Sequence, residues 1–234
     1  MKLATLSLLS ASLATASPTF DKRASGVQGF DISHYQPNVD YAGAYKAGAR
    51  FVIIKATENT NYVDSSFSTH YNGATNAGLI RGGYHFAVPS SSSGSAQAEY
   101  FLAHGGGWSD DGITLPGMLD MEYNPYGDDS CYGLSAGDMV SWIKDFADTY
   151  NSKAGRYPMI YTTADWWNTC TGGATDFSQD CPLVLARYAS SPGSVPGGWP
   201  TQSFWQNSDS YEFGGDSDIW NGSEDNLKKF AKGG

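Results

Sequence analysis

The pattern of apolar and polar positions along the chain carries two periods. Short apolar or alternating runs mark eight strand candidates: "VQGFDIS" (27–33), "FVIIKAT" (51–57), "RGGYHFA" (81–87), "PGMLDME" (116–122), "PMIYTT" (158–163), "LVLARYA" (183–189), "SFWQN" (203–207) and "SDIWN" (217–221). Runs of this length, bounded by turn formers, suit pleated strands. Stretches of helical period lie between the early ones, at 39–49, 65–78, 95–104 and 136–152. The last is the sharpest: Met139, Trp142, Ile143, Phe146 and Tyr150 share one face behind a Ser135-x-x-Asp138 capping pattern, and Gly155 stands beyond its end. Strand followed by helix followed by strand implies parallel pairing. From Tyr188 onward the helical period gives way to "SSPGSVPGGWPT", so the last strands are expected to be joined by loops or hairpins. The predicted fold class is α/β: an irregular eight-stranded β/α barrel of about five βα units with a β-rich closure. An open doubly wound sheet is the rival, but no glycine-rich first βα turn supports it. "PSSSSGS" (89–95) reads as a surface loop.

Composition narrows the setting. With 40% hydrophobic and 16% charged residues in 234, the chain is globular and best divided as one domain. The opening "MKLATLSLLSASLATASP" reads as a secretory signal peptide over 1–16, and "SPTFDKR" as a short pro-segment, 17–23, ending at Lys22-Arg23. The mature domain is then 24–234, about 211 residues, expected to be secreted to the extracellular space, with no further run long enough to span a membrane. Losing Lys2, Lys22, Arg23 and Asp21 moves the formal charge from −10 to −12. So acidic a chain is a poor nucleic-acid binder and is not steered onto anionic surfaces, which leaves local contacts or acid pH to hold an anionic substrate. A monomer is expected.

Three cysteines in an exported chain permit one disulfide. Cys131 with Cys170 is the expected pair, and Cys170 with Cys181 the rival. Neither these cysteines nor His34, His70, His85 and His104 have the spacing of metal ligands, so no metal and no cofactor is expected. Asn221 opens an "NGS" glycosylation sequon.

The chemistry lies in "LDMEYN" (119–124). In a strand, Asp120 and Glu122 point to one face while Leu119, Met121 and Tyr123 point to the other. In a barrel that shared face is the lumen, and the carboxyl end of a strand is the rim where βα barrels place chemistry. Two neighbouring acids without an adjacent cation destabilise each other, which argues against a merely structural pair. Asp31, Glu58 and Asp218 end other strands, so several acids can converge there. Clustering raises at least one pKa, and a neutral carboxylic acid can protonate a leaving group, which is how glycosidic bonds are broken. Tyr35, Tyr84, Tyr123, Tyr161, Tyr188 and Trp205 are rim aromatics available to stack sugars, although any one of them also suits the core. Lys55, at the end of an apolar strand, is placed to pair with the acids. His85 suits either the site or a hydrogen-bonded core position.

Two other signals are weaker. "GLSAG" (133–137) matches a nucleophile elbow, but a loop precedes it and every histidine lies before Ser135, which suits a helix N-cap better. "NSDSYEFGGDSD" (207–218) lacks the glycine position and terminal glutamate of a calcium loop.

"GFDISHYQ", "VIIKATE", "IRGGYHFA", "LDMEYN", "YPMIYTT" and "FWQNS", in this order and spacing, resemble the family 25 glycoside hydrolases, lysozymes of the N-acetylmuramidase type. The likeness covers nearly the whole mature chain. It implies a flattened barrel of five βα units and three closing strands, acting on bacterial peptidoglycan. Glu122 then resembles the general acid/base and Asp120 the acid that polarises the substrate's acetamido group. Asp31 and a late acid, Asp218 with Asp216 as the alternative, resemble the remaining carboxylates. Tyr84, Tyr161, Trp205, Tyr123 and Lys55 are the expected substrate-side residues. Departures are Tyr35 where Trp is frequent, Asn59 where Gly is common, and a short "SDIWN" segment. Retention of configuration is preferred. The rivals are a chitinase-like hydrolase, whose strand shows a third alternating acid where Met118 stands here, and a silent sugar-binding barrel.

Overall fold

The computed structural model describes residues 26–234, so the leader and pro-segment expected at 1–16 and 17–23 lie outside the described residues. The elements run β1 (Val27–Ile32), α1 (Tyr41–Ala47), β2 (Phe51–Glu58), β3 (Tyr62–Val63), α2 (Phe67–Asn76), β4 (Ile80–Phe86), α3 (Gly94–Ala103), β5 (Met118–Asp120), α4 (Ala136–Ala154), β6 (Met159–Thr163), α5 (Ala164–Thr171), β7 (Leu183–Ala186), β8 (Phe204–Ser208), β9 (Asp216–Trp220) and α6 (Glu224–Ala231). Strands β1, β2, β4, β5, β6, β7 and β8 pair in parallel, each with the next. β9 runs antiparallel to both β8 and β1 and closes the ring, while β3 is a short hairpin partner on the end of β2. This is the expected eight-stranded barrel, with five βα units and three closing strands.

Alternation along each strand divides the apolar residues into two layers. Val52, Ile54, Leu119, Ile160, Leu183 and Leu185 face outward and pack under the helices, together with Phe101, Phe146 and Trp166. Phe51, Ile53, Met118, Met159, Val184 and Phe204 fill the lumen. The long helix α4 forms as its sequence predicts. Ser135 accepts the Asp138 N–H, Met139, Trp142, Ile143, Phe146 and Tyr150 are buried, and Gly155 ends the helix at φ 76°. Ser135 is therefore an N-cap, with no place in a nucleophile elbow. The Tyr150 hydroxyl accepts the Gly117 N–H and donates to Gly106 O, both at 2.7 Å, tying α4 to the loop that leads into β5.

Two helices depart from the sequence reading. α5, an eight-residue element capped by Thr163, lies where no helical stretch is marked, and it buries Trp166, Trp167 and Cys170. More consequentially, the helical pattern does not end at Tyr188. α6, capped by Ser223, packs Leu227, Phe230 and Ala231 onto Phe51, Phe204 and Trp220 and plugs the lumen at the end away from the site. Only three of its residues are apolar and buried, so a window of sequence shows mostly its polar face. Cys131 is bonded to Cys170, joining the β5–α4 loop to α5, and Cys181 is a buried free thiol. Among the described residues no helix is long and apolar enough to cross a membrane.

Candidate active site

The carboxyl ends of the parallel strands surround a cleft of about 100 Å³ lined by Asp31, Tyr84, Met118, Asp120, Glu122, Tyr161, Gln206 and Asp216. β5 stops at Asp120, two residues earlier than its apolar pattern suggests. Yet Met121 N–H still donates to Tyr161 O at 2.9 Å. That bond keeps the chain extended past the strand's end, so Glu122 follows Met118 and Asp120 onto the lumen face.

The other acids come from the closing seam. Across β1 and β9, Asp31 sits opposite Asp216 and Gly29 opposite Asp218. Asp216 and Asp218 thus share a face, with Asp216 at the cleft surface and Asp218 one layer deeper, 1% exposed. Gly215 permits this start to β9: its φ is +72°, and a Cβ there would stand 1.9 Å from Asp31 O. The choice between Asp216 and Asp218 thus becomes one of depth. Asp216 lines the cleft, and Asp218, the residue favoured by the resemblance, buttresses Asp31 from below.

Burial controls the protonation of this cluster. Asp31 is pushed up to about 7, chiefly by burial and then by the charge of Asp216, against the hydrogen bond from Gln206. Asp218 lies well above the carboxylate range because it is buried and next to Asp31. Neither of its oxygens meets an N–H or O–H donor among the described residues. Its neighbour is a second carboxyl, and a carboxyl–carboxyl contact is favourable only with a proton between the two. Asp120 and Glu122 form the other pair across the lumen. Burial raises both, and Glu122's charge raises Asp120 further, while Lys55 pulls each back. Asp216 is raised too, and the five acids are not all ionised together at neutral pH, so the site stores protons.

Lys55 projects from the same face of β2, but its direct partner is Glu58, with Nζ 2.7 Å from Oε2. The Tyr126 hydroxyl caps the other Glu58 oxygen. Lys55 thus pairs with one of the expected strand-end acids, Glu58, and acts on Asp120 and Glu122 through its field across the cleft. Tyr84 and Tyr161 line the cleft as expected, their hydroxyls held protonated by burial and by the surrounding acids.

Two expected residues are not brought to the cleft. Trp205 lies between the lumen-facing Phe204 and Gln206, so it points outward. It is 3% exposed, and its indole N–H donates to Arg187 O at 2.8 Å. Tyr123 likewise points away from Glu122, and its hydroxyl donates to Asp165 at the start of α5. Strand alternation decides both, and its parity was readable in "FWQ" and "MEY". His85 takes the core alternative, completely buried between Thr57 Oγ1 and Gln97 Oε1. Burial pushes it down to about 4. Tyr188, one of the expected rim aromatics, donates its hydroxyl to Gln206 Oε1. Gln206 is a cleft residue that the sequence pattern did not single out; it could have been found from its place two residues after a lumen-facing Phe.

Residues 30–216 match the family model described as Glycosyl hydrolases family 25. An N,O-diacetylmuramidase of Arthroderma benhamiae is 60% identical over 237 residues, spanning 100% of each chain. An N,O-diacetylmuramidase of Chalaropsis sp is 63% identical over 214 residues, 88% of this chain and 100% of its own. Among solved structures, the muramidase from Trichobolus zukalii superposes with a TM-score of 0.87 at 66% identity, over 89% of this chain and 100% of that one.

Proposed function

The chain belongs to glycosyl hydrolases family 25, and on that premise we propose that it is a secreted, monomeric lysozyme that hydrolyses the β-1,4 bond between N-acetylmuramic acid and N-acetylglucosamine of bacterial peptidoglycan. The observation that carries this reading is the pair Asp120 and Glu122, side by side on the lumen face at the rim, both raised by burial.

Such a pair titrates as a unit. A substrate acetamido N–H donated to Asp120 favours its carboxylate and shifts the shared proton to Glu122. Glu122 then protonates the departing glycosidic oxygen as the C1–O bond breaks. The acetamido carbonyl oxygen, aligned by Asp120, bonds to C1 from the opposite face and disperses the oxocarbenium charge. Glu122, now a carboxylate, takes a proton from the water that attacks C1, reopening the ring with overall retention and restoring the acid. With the proton of the Asp31 and Asp218 pair on the deeper Asp218, Asp31 beside Asp216 supplies negative field to the developing cation. Met118 lines the cleft where a chitinase-like triplet would need a third acid.

The test is release of reducing ends from purified peptidoglycan, wild type beside Glu122→Gln, from acid to neutral pH, with the new reducing sugar identified. Muramic acid at the new ends, reduced by roughly 10²–10⁴-fold in the variant, is the expected outcome. No release at any pH, with chitin also untouched, would leave only a sugar-binding barrel.

A further inference from the structure

One side-chain amide ties together four groups of the cleft. Gln206 projects from the lumen face of β8, 3% exposed, and every hydrogen-bonding position of its carboxamide is used. Nε2 donates to Asp31 Oδ2 at 2.8 Å and to Asp216 Oδ2 at 3.2 Å. Oε1 accepts from Tyr161 Oη at 2.8 Å and from Tyr188 Oη at 3.1 Å. The orientation follows from the partners, since exchanging N and O would set an acceptor against two carboxyl oxygens.

This wiring has a polarity. A tyrosine hydroxyl carries one hydrogen, and those of Tyr161 and Tyr188 both go to Gln206, so each presents only lone pairs to anything entering the cleft. On the other side of the amide, the Asp31 and Asp216 oxygens that receive Nε2–H are acceptors as well. The wall from β6 to β9 therefore receives donors: sugar hydroxyls and acetamido N–H groups.

We infer that Gln206 is a positioning residue for the hydrolysis, holding Asp31 and Asp216 in place and fixing the hydroxyls of Tyr161 and Tyr188 as acceptors toward the sugar, an inference that rests on the muramidase reading. The titratable groups around the amide are Asp31 of β1, Asp216 and Asp218 of β9, Tyr161 of β6 and Tyr188 beyond β7. To these are added Tyr84 of β4, Asp120 and Glu122 at the end of β5, and Asp209 after β8, whose charge acts on Asp216 and Tyr188. Lys55, the cation on the far wall, is held by Glu58.

The variant that tests this is Gln206→Glu, which keeps the shape. Ionised, it offers only acceptors and sets a further charge beside Asp31 and Asp216. Protonated, its O–H replaces one N–H, while its carbonyl still accepts from the tyrosines. At neutral pH kcat is expected to fall by about 10²-fold, the scale of a misplaced catalytic group. The ratio of variant to wild-type kcat then climbs about tenfold or more as pH falls and the new carboxyl protonates. Gln206→Leu loses rate with no such recovery. Thermal melting checks that each variant is folded. Should Gln206→Glu fail to fold, Tyr188→Phe, altering a half-exposed side chain, removes one of the two donors to Oε1, and a several-fold loss of kcat/KM is expected.

A folded Gln206→Glu with the wild-type profile, or with a loss that does not change with pH, overturns the inference, as does unaltered turnover in Tyr188→Phe. Wild type and Glu122→Gln run in the same series. Absence of muramic acid ends from wild type sinks the muramidase reading itself, whereas wild-type turnover beside an unaffected Gln206→Glu sinks only the role of Gln206.

Discussion

Asp31→Asn is expected to stabilise the protein at alkaline pH even as it removes a carboxylate from the site. The Asp31 carboxyl is raised from its ordinary 3.8 to about 7 by burial and by Asp216. A folded-state pKa above the unfolded one means that the folded chain holds the proton more tightly. This contribution to stability is therefore complete below the unfolded pKa and lost as pH rises through the folded one. The interval is about three units, and at 1.36 kcal/mol per unit it has an upper limit of about 4 kcal/mol. Asp216 and Asp218 share the titration, so a single substitution should recover about half, ~2 kcal/mol. The asparagine oxygen can still accept from Gln206 Nε2, so the hydrogen bond is retained. For a domain of this size, ~2 kcal/mol raises Tm by about 4–8 °C. Calorimetric melts of both proteins from about pH 4 to about pH 8 measure the difference, which should be near zero at the acid end and grow through the window. His85 titrates in both proteins and cancels. A gap independent of pH, or an Asp31→Asn less stable than wild type at about pH 8, would refute the burial argument for the cluster.

Three further outcomes follow from other parts of the fold. Ser135→Ala removes the N-cap of α4, and chemical denaturation should show a loss of about 1 kcal/mol with turnover unchanged; abolished turnover would revive the nucleophile reading. Replacing Cys131 and Cys170 together by Ala opens a loop with a sequence separation of 39 residues. That should cost about 2–4 kcal/mol in denaturant titration, and a wild-type midpoint would count against it. Lys55→Met removes the charge that pulls Glu122 down. The alkaline limb of kcat/KM against pH should move to higher pH, and a move to lower pH would show that Glu122 is not the acid it reports.

Part of this protein is written in local sequence. The eight barrel strands and the first four helices follow from periodicity, because alternation and the 3.6-residue turn are properties of the backbone and operate before any tertiary contact. For the same reason "LDMEYN" places two carboxylates on one face wherever the strand goes. The same alternation assigns Trp205 and Tyr123 to the outside, a rule available in the sequence and outweighed there by the attraction of aromatic rings to a sugar site. Other features exist only once the barrel closes. α6 looks polar in isolation because its few apolar residues find their purpose against Phe51 and Phe204, from strands distant in sequence. The depth difference between Asp216 and Asp218 depends on the antiparallel register of β9 with β1, and that on the turn at Gly215. Alternation along the chain puts Gln206 on the lumen face but says nothing of its partners. Its four partners come from β1, β6, β9 and the segment after β7, and only ring closure brings them within hydrogen-bonding distance. The carboxylates could be read from their spacing, while their protonation could not, since a pKa is set by burial and neighbouring charge, and both are decided by the fold.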